Sequence, residues 1–171
     1  MDYKSQILSL NLFSKTKIMT EQESTIVLVE NAIRKIGVDP ALCKGEKIGQ
    51  YTMKQGSASV WIDVLFIPRE NSSYFQVMSP VMSIANVSNK AGLYEELLTI
   101  NDLLYNVGFT LYNNFVWLKT IREVKGLDED EILAQLRRIG TYADQYDDIL
   151  RQKYDSTYVA ATGGVAGRPP Q

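Results

Sequence analysis

Histidine is absent from this chain and cysteine occurs once, at Cys43. Serine and cysteine triads, histidine general bases, HExxH zinc sites and Cys/His zinc clusters all need residues that are missing. One cysteine also forms no intrachain disulfide, so nothing marks a secreted scaffold. Carboxylates are the remaining reactive groups. Asp128, Glu129, Asp130 and Glu131 fall within one helical turn and fan around its axis, which suits capping and solubility better than a cation site. Asp144, Asp147 and Asp148 share a helix, and 144 with 148 is an i, i+4 like-charge pair that could chelate a hard cation. A solvated outer face with Arg151 nearby is the expectation there. Asp63 is the one charged residue in the apolar run Val60 to Ile67, and so the best single candidate for a perturbed group. It either points to solvent, pairs with Lys54 or Lys119, or serves a pocket.

Phosphate-binding and cofactor signals fail on inspection. Gly45-Glu46-Lys47-Ile48-Gly49 lacks the GK[ST] ending of a phosphate loop. The GGVAG stretch near the C-terminus has neither a strand before it nor a helix after it. Cys43 has no activating partner in the sequence and reads as a small, partly buried residue. Asn71-Ser72-Ser73 and Asn86-Val87-Ser88 match the glycosylation pattern, which carries no meaning without secretion. No catalytic residue, cofactor or metal ligand is assigned, and an enzyme is not expected.

The 171 residues are 45% apolar and 22% charged, with 20 acidic against 18 basic side chains and a formal charge of −2. That suits a single soluble domain without a broad pull toward nucleic acid or acidic membranes. No window approaches the roughly 20 apolar residues of a membrane span. In the first nineteen residues Ser9 and Asn11 interrupt the apolar side chains, so no signal peptide is expected and the protein is placed in the cytoplasm. Met19 precedes a capping box at Thr20-Glu21-Gln22-Glu23 and is a candidate natural start. The expected organisation is a mobile N-terminal arm over 1–19, one α+β domain over 20–155, and a disordered Gly/Pro-rich tail over 156–171.

Within the domain, Ile26, Val29, Ile33 and Ile36 predict an amphipathic helix over 20–36, stopped by Gly37. Strands are predicted over 50–55, 59–67 and 74–85, the first two joined by a Gly56-Ser57 turn. Pro80 must bend the third or place it at an edge. Leu93, Leu97, Ile100 and Leu104, widened by Tyr94, Leu98 and Val107, predict a second helix over 90–107, buried on more than one side and capped by Asn89. A hairpin follows over 109–112 and 115–121, because Asn113-Asn114 tolerates the positive φ of a two-residue turn. Ile132, Leu136, Ile139, Ala143, Tyr146 and Leu150 then mark a long helix from Asp128 to Tyr154. Its apolar seam is too short to favour a coiled coil and is expected to pack on the sheet. Gly140 within it fits a close backbone approach or a bend. The fold class is α+β, an antiparallel sheet of about five strands in the order α-β-β-β-α-β-β-α with helices on one face.

The hairpin fixes which side chains share a face. With Asn113 and Asn114 as the turn, Tyr112 opposes Phe115, Leu111 opposes Val116, Thr110 opposes Trp117 and Phe109 opposes Leu118. Phe109, Leu111, Val116 and Leu118 are assigned to the core. Thr110, Tyr112, Phe115, Trp117 and Lys119 point the other way, an aromatic series where a solvated sheet would be polar. Along the second strand, Val60, Ile62, Val64 and Phe66 alternate with Trp61, Asp63, Leu65 and Ile67. Either another element of the chain covers this second face, or Trp61, Leu65, Tyr112, Phe115 and Trp117 bind a protein partner. Base stacking by the same aromatics would need a positive groove, and the strands supply only Lys119 and Arg122, so nucleic acid is not expected. Asn101, in the otherwise apolar second helix, either faces solvent or hydrogen-bonds across a helix or strand end to fix register or a subunit contact.

The order of elements, together with Leu93 to Asn114 reading LYEELLTINDLLYNVGFTLYNN and the Leu-x-x-Ile-Asn pattern at Leu97 to Asn101 running into a strand at Phe109, resembles the YbjN-like family. The likeness extends from Thr20 to Tyr154. Members share the fold of type III secretion chaperones. The resemblance implies a small cytosolic protein, often a homodimer, that binds other proteins and carries no catalytic motif. In the related chaperones an extended partner segment wraps apolar patches. The principal reading is a non-enzymatic protein-binding module that uses the aromatic sheet face. The alternative is a small-ligand-binding or carboxylate-dependent enzyme domain with a pocket near Asp63.

Overall fold

The computed structural model describes residues 21–158, so the expected arm over 1–19 and the tail from 159 onward lie outside the described residues. Residues 156–158, assigned by sequence to the tail, are hydrogen-bonded to the fold: the Ser156 hydroxyl and amide donate to the Asn86 carbonyl, and the Tyr158 hydroxyl donates to Asp148.

The chain runs through helix α1 (21–35), a 3-10 turn at Pro40–Leu42, strands β1 (Gln50–Gln55), β2 (Ala58–Ile67) and β3 (Ser72–Ser83), helix α2 (Lys90–Asn101), strands β4 (Gly108–Tyr112) and β5 (Phe115–Glu123), and helix α3 (Glu129–Tyr154). The five strands form one sheet in the order β1-β2-β3-β5-β4. Two-residue and four-residue turns make the β1–β2 and β2–β3 neighbours antiparallel. Bonds from the Ile84 amide to the Asn114 carbonyl and from the Val124 amide to the Ser73 carbonyl make β3 and β5 antiparallel as well. The α+β element order read from the sequence is the observed one.

β3 is the middle strand and continues through Pro80. The expected edge placement is therefore corrected: a twelve-residue strand tolerates the one donor that proline removes. Helix α2 ends at Asn101, six residues before its predicted end, and Leu104 and Val107 lie in a linker that turns at Asn106 with a φ of 58°. Apolar spacing carried on past the point where Asn101 leaves the helical pattern. Leu98 is exposed, so α2 is buried on one side and not around most of its circumference.

By the density of contacts the chain divides into two compact units. The first holds 21–51, 62–76 and 121–133. Its core gathers Val29, Ala32 and Ile33 of α1, Ile62 and Val64, Phe75 and Ile132, all essentially without solvent contact. Tyr51 donates to Glu30 at 2.9 Å, and Lys44 pairs with the same carboxylate at 3.2 Å. Burial alone would raise the Glu30 pKa, but the Tyr51 and Lys44 contacts outweigh it and lower it, while burial and Glu30 push the Tyr51 phenol well above its usual range. At the start of α3, Asp128 caps the Glu131 amide, Nη1 of Arg122 donates to the Glu131 carboxylate, and Glu129 pairs with Lys35 at 2.6 Å. Asp128, Glu129 and Glu131 thus cap and tether the helix end.

The second unit holds 52–61, 77–120 and 134–158. Leu136, Ile139, Ala143, Tyr146 and Leu150 of α3 are buried, and Tyr146 meets Phe109 edge-to-face with ring centroids 5.5 Å apart. The long helix packs on strands, as its short seam implied. At Gly140 an added Cβ would lie 2.1 Å from Oε1 of Gln55, so a strand side chain, not a backbone, approaches there.

Candidate partner-binding face

The β4–β5 hairpin positions the aromatic residues, and its register matches the sequence argument residue by residue: Tyr112 with Phe115, Leu111 with Val116, Thr110 with Trp117 and Phe109 with Leu118. Asn113 and Asn114 adopt φ of 48° and 60°, the two left-handed residues of a type I′ turn. Asn101 brackets the start of the hairpin: its Oδ1 accepts from the Phe109 amide at 2.6 Å and its Nδ2 donates to the Phe109 carbonyl at 3.3 Å. Of its two readings, the structure shows the helix-to-strand bond.

On the second face, Trp61 and Trp117 meet edge-to-face with centroids 5.1 Å apart, and Phe115 lies 6.3 Å from Trp117. The three differ in exposure. Trp117 is only 7% exposed and donates its indole N–H to the Tyr112 carbonyl, so it is a buried platform. Trp61, at 41%, together with Phe115 and Tyr112, stands in solvent around it. A buried, hydrogen-bonded tryptophan fixes the rings beside it and lowers the entropy lost when they are covered. Leu65, on the same series of β2, is half-buried and belongs to the first unit. Leu111, assigned to the core, is 50% exposed, a correction caused by its place near the tip of edge strand β4.

Gln50 and Gln76, from the strands on either side, donate to the two oxygens of Asp63 at 2.8 and 3.2 Å, in place of the expected Lys54 or Lys119. Two concavities of the first unit lie around Ile26 and Ile48, and Asp63 lines neither. Among the described residues no group of three or more Cys, Asp or Glu is placed to hold a metal, and no helix is long and apolar enough to cross a membrane.

Carboxylates of α3 have a structural use that the spacing did not disclose. Asp144 accepts from the Ser57 amide at 2.6 Å and from its hydroxyl at 2.7 Å, and Asp147 lies 3.3 Å from the same hydroxyl. Asp147 is 8% exposed, a correction to the solvated outer face expected for it. A hydroxyl has one proton, and the shorter contact gives it to Asp144. Asp147 is then left to bond the Ser57 oxygen only by donating a proton of its own, and burial, with Asp148 beside it, raises its pKa against the opposing Arg151 and Ser57.

This fold is shared with solved complexes. The chain matches one in the crystal structure of the ExsC–ExsE complex at 16% identity and a TM-score of 0.58, over 75% of this chain and 95% of that one. It matches a chain of the HopA1–SchA chaperone–effector complex at 12% identity and a TM-score of 0.52, over 78% and 97%. A search of curated protein sequences finds no match. Residues 23–160 match the family described as T3SS (YopN, CesT) and YbjN peptide-binding chaperone 1, and the chain belongs to that family.

Proposed function

We propose that this protein is a non-enzymatic, cytoplasmic, peptide-binding chaperone that holds an extended apolar segment of a partner protein against Trp61, Tyr112 and Phe115. The observation that carries this reading is the exposed aromatic group seated on buried Trp117. An extended segment places alternate side chains on one side, where rings carried by β2, β4 and β5 can receive them. Family membership supports peptide binding as the activity, and Asp63 and Asp144 are taken up by structural hydrogen bonds.

We also propose a homodimer. Leu98 on α2, Leu103 and Tyr105 in the linker and Leu111 on β4 are exposed within a short stretch of chain. β4 has a neighbour strand on one side only. Exposed aliphatic side chains beside an open strand edge suit association of two copies.

Selection of random twelve-residue peptides on the immobilised full chain tests the first reading. Enriched sequences should alternate apolar and polar residues, and Trp61→Ala and Phe115→Ala should each lose their capture. Sequences without alternation, captured equally by both variants, would overturn it. Light scattering of the wild type and of Leu98→Glu tests the dimer: two chains and one chain, respectively, are expected, and a wild-type monomer would refute it.

A further inference from the structure

The strands of the second unit are free of acid. Residues 52–55, 58–61, 77–83, 108–112 and 115–120 contain no Asp or Glu, and their two charged side chains are Lys54 and Lys119. Both stand on the aromatic side of the sheet. Lys119 keeps the alternation of Phe115 and Trp117 along β5, and the residue opposite it on β4 is Gly108, which has no side chain to cover it. Lys54 keeps the alternation of Gln50 along β1, and the Gln50 bond to Asp63 puts that series on the same side as Trp61. Among the described residues neither lysine has an ion pair or a side-chain hydrogen bond, whereas Lys35, Lys44 and Lys153 meet carboxylates at 2.6, 3.2 and 2.7 Å. Lys119 is also the one described lysine that is half-buried, all the others being exposed.

Phe115, Trp117 and Lys119 occupy every second position of one strand, so their side chains follow one another at roughly 7 Å, which is also the spacing of alternate side chains in an extended peptide. A segment lying along β5, with one apolar residue at Phe115 and the next over the Trp61–Trp117 pair, brings its third same-side residue to Lys119. An apolar or basic residue in that place strips water from the ammonium and supplies no partner. A carboxylate replaces the lost hydration with a charge-assisted bond, made beside rings that exclude solvent and so strengthen it. The penalty on the wrong partner is what turns this lysine into a source of specificity.

We propose that the partner segment taken by this face is acidic as well as apolar, with the pattern apolar-x-apolar-x-Asp/Glu and its carboxylate on Lys119. The inference rests on the reading of Trp61, Tyr112 and Phe115 as the peptide site, and adds to it the residue that selects among apolar peptides.

Three capped peptides of about twelve residues, alternating leucine and serine, test the proposal on the full chain by tryptophan fluorescence. The first carries glutamate in place of a leucine near the middle, the second glutamine at that same position, and the third glutamate in place of the neighbouring serine, on the opposite side of the extended chain. The first is expected to bind roughly fivefold more tightly than the other two at low salt, with the preference shrinking toward none at about 0.5 M salt. Lys119→Gln should bind the first and second peptides alike, and Lys119→Arg, which keeps the charge, should retain the preference. Equal binding of the first two peptides by the wild type, or a preference that persists in Lys119→Gln, would overturn the inference and leave the peptide face standing. Binding of none of the three would overturn the face, and this inference with it. A single-stranded thymidine oligonucleotide bound more tightly than any peptide, and lost in Lys119→Gln, would overturn it by assigning the lysine to a phosphate backbone.

Discussion

Two hairpin turns in the second unit solve the same geometric problem by different means. The β1–β2 turn, Gly56-Ser57, is tied down from outside: Asp144 and Asp147 of α3 hold Ser57, and a Cβ at Gly56 would collide with the Asp144 carboxylate at 2.4 Å. The β4–β5 turn, Asn113-Asn114, depends on the left-handed tolerance of asparagine, and both asparagines are exposed. Polar side chains are spent on fixing the first turn. Around the second, Tyr112 and Phe115 remain open to solvent. The second turn is held from outside by one backbone bond, from the Ile84 amide to the Asn114 carbonyl, and needs no side-chain clamp, which leaves its flanking aromatic residues accessible, as a docking surface requires.

The sharpest separation of platform from contact surface comes from the two tryptophans. Trp117→Ala should cost about 3–5 kcal/mol of stability, the usual penalty for emptying a buried aromatic site, whereas Trp61→Ala should stay within about 1 kcal/mol. Urea unfolding of both variants measures the difference, and equal costs would show that the face is not built on a buried Trp117. Next in size, Asn113→Ala or Asn114→Ala should cost roughly 1–2 kcal/mol each, and glycine at the same positions should recover most of it. A failure of glycine to rescue would mean that side-chain contacts, and not φ, hold this turn.

The clamped turn yields the smallest effect and a pH signature. With its folded pKa raised, Asp147 binds a proton more tightly in the native state, so its unfavourable contribution is absent below the ordinary aspartate range and develops as pH rises through the raised value. Asp147→Asn should therefore melt higher than the wild type at neutral pH, with the gap closing toward about pH 3.5. Thermal melts across that range check it, and an asparagine variant less stable at neutral pH would show that the charged carboxylate is needed by the clamp.

How far the sequence could be read depended on whether a feature was local. The β4–β5 register came out residue for residue, because side-chain parity and an Asn-Asn pair are both written in consecutive positions. The buried face of α3 was equally plain, from spacing alone. Features set by distant partners were not. Trp117 shares the parity of exposed Phe115, yet it is buried, with the Trp61 and Phe115 rings and the Tyr112 carbonyl against it. Leu111 shares the parity of buried Phe109 and is exposed by its position near the strand tip. Asp63 was marked as unusual, but its glutamine partners are 13 residues away on either side. Pro80 was moved to an edge by a rule that concerns one lost donor and says nothing of strand order. Neither the Ser57 clamp nor exposed Ile48 gave any signal in composition or periodicity.

Both tryptophans of the chain lie at the proposed face, so intrinsic fluorescence reports on it without a label. Titrating the full chain with one selected alternating peptide should give a saturable blue shift as Trp61 loses water. In Phe115→Ala the dissociation constant should weaken by roughly thirtyfold, the equivalent of about 2 kcal/mol for an aromatic anchor. A peptide that binds with tryptophan emission unchanged, and binds Phe115→Ala as tightly as the wild type, would contradict the assignment of this face as the partner site.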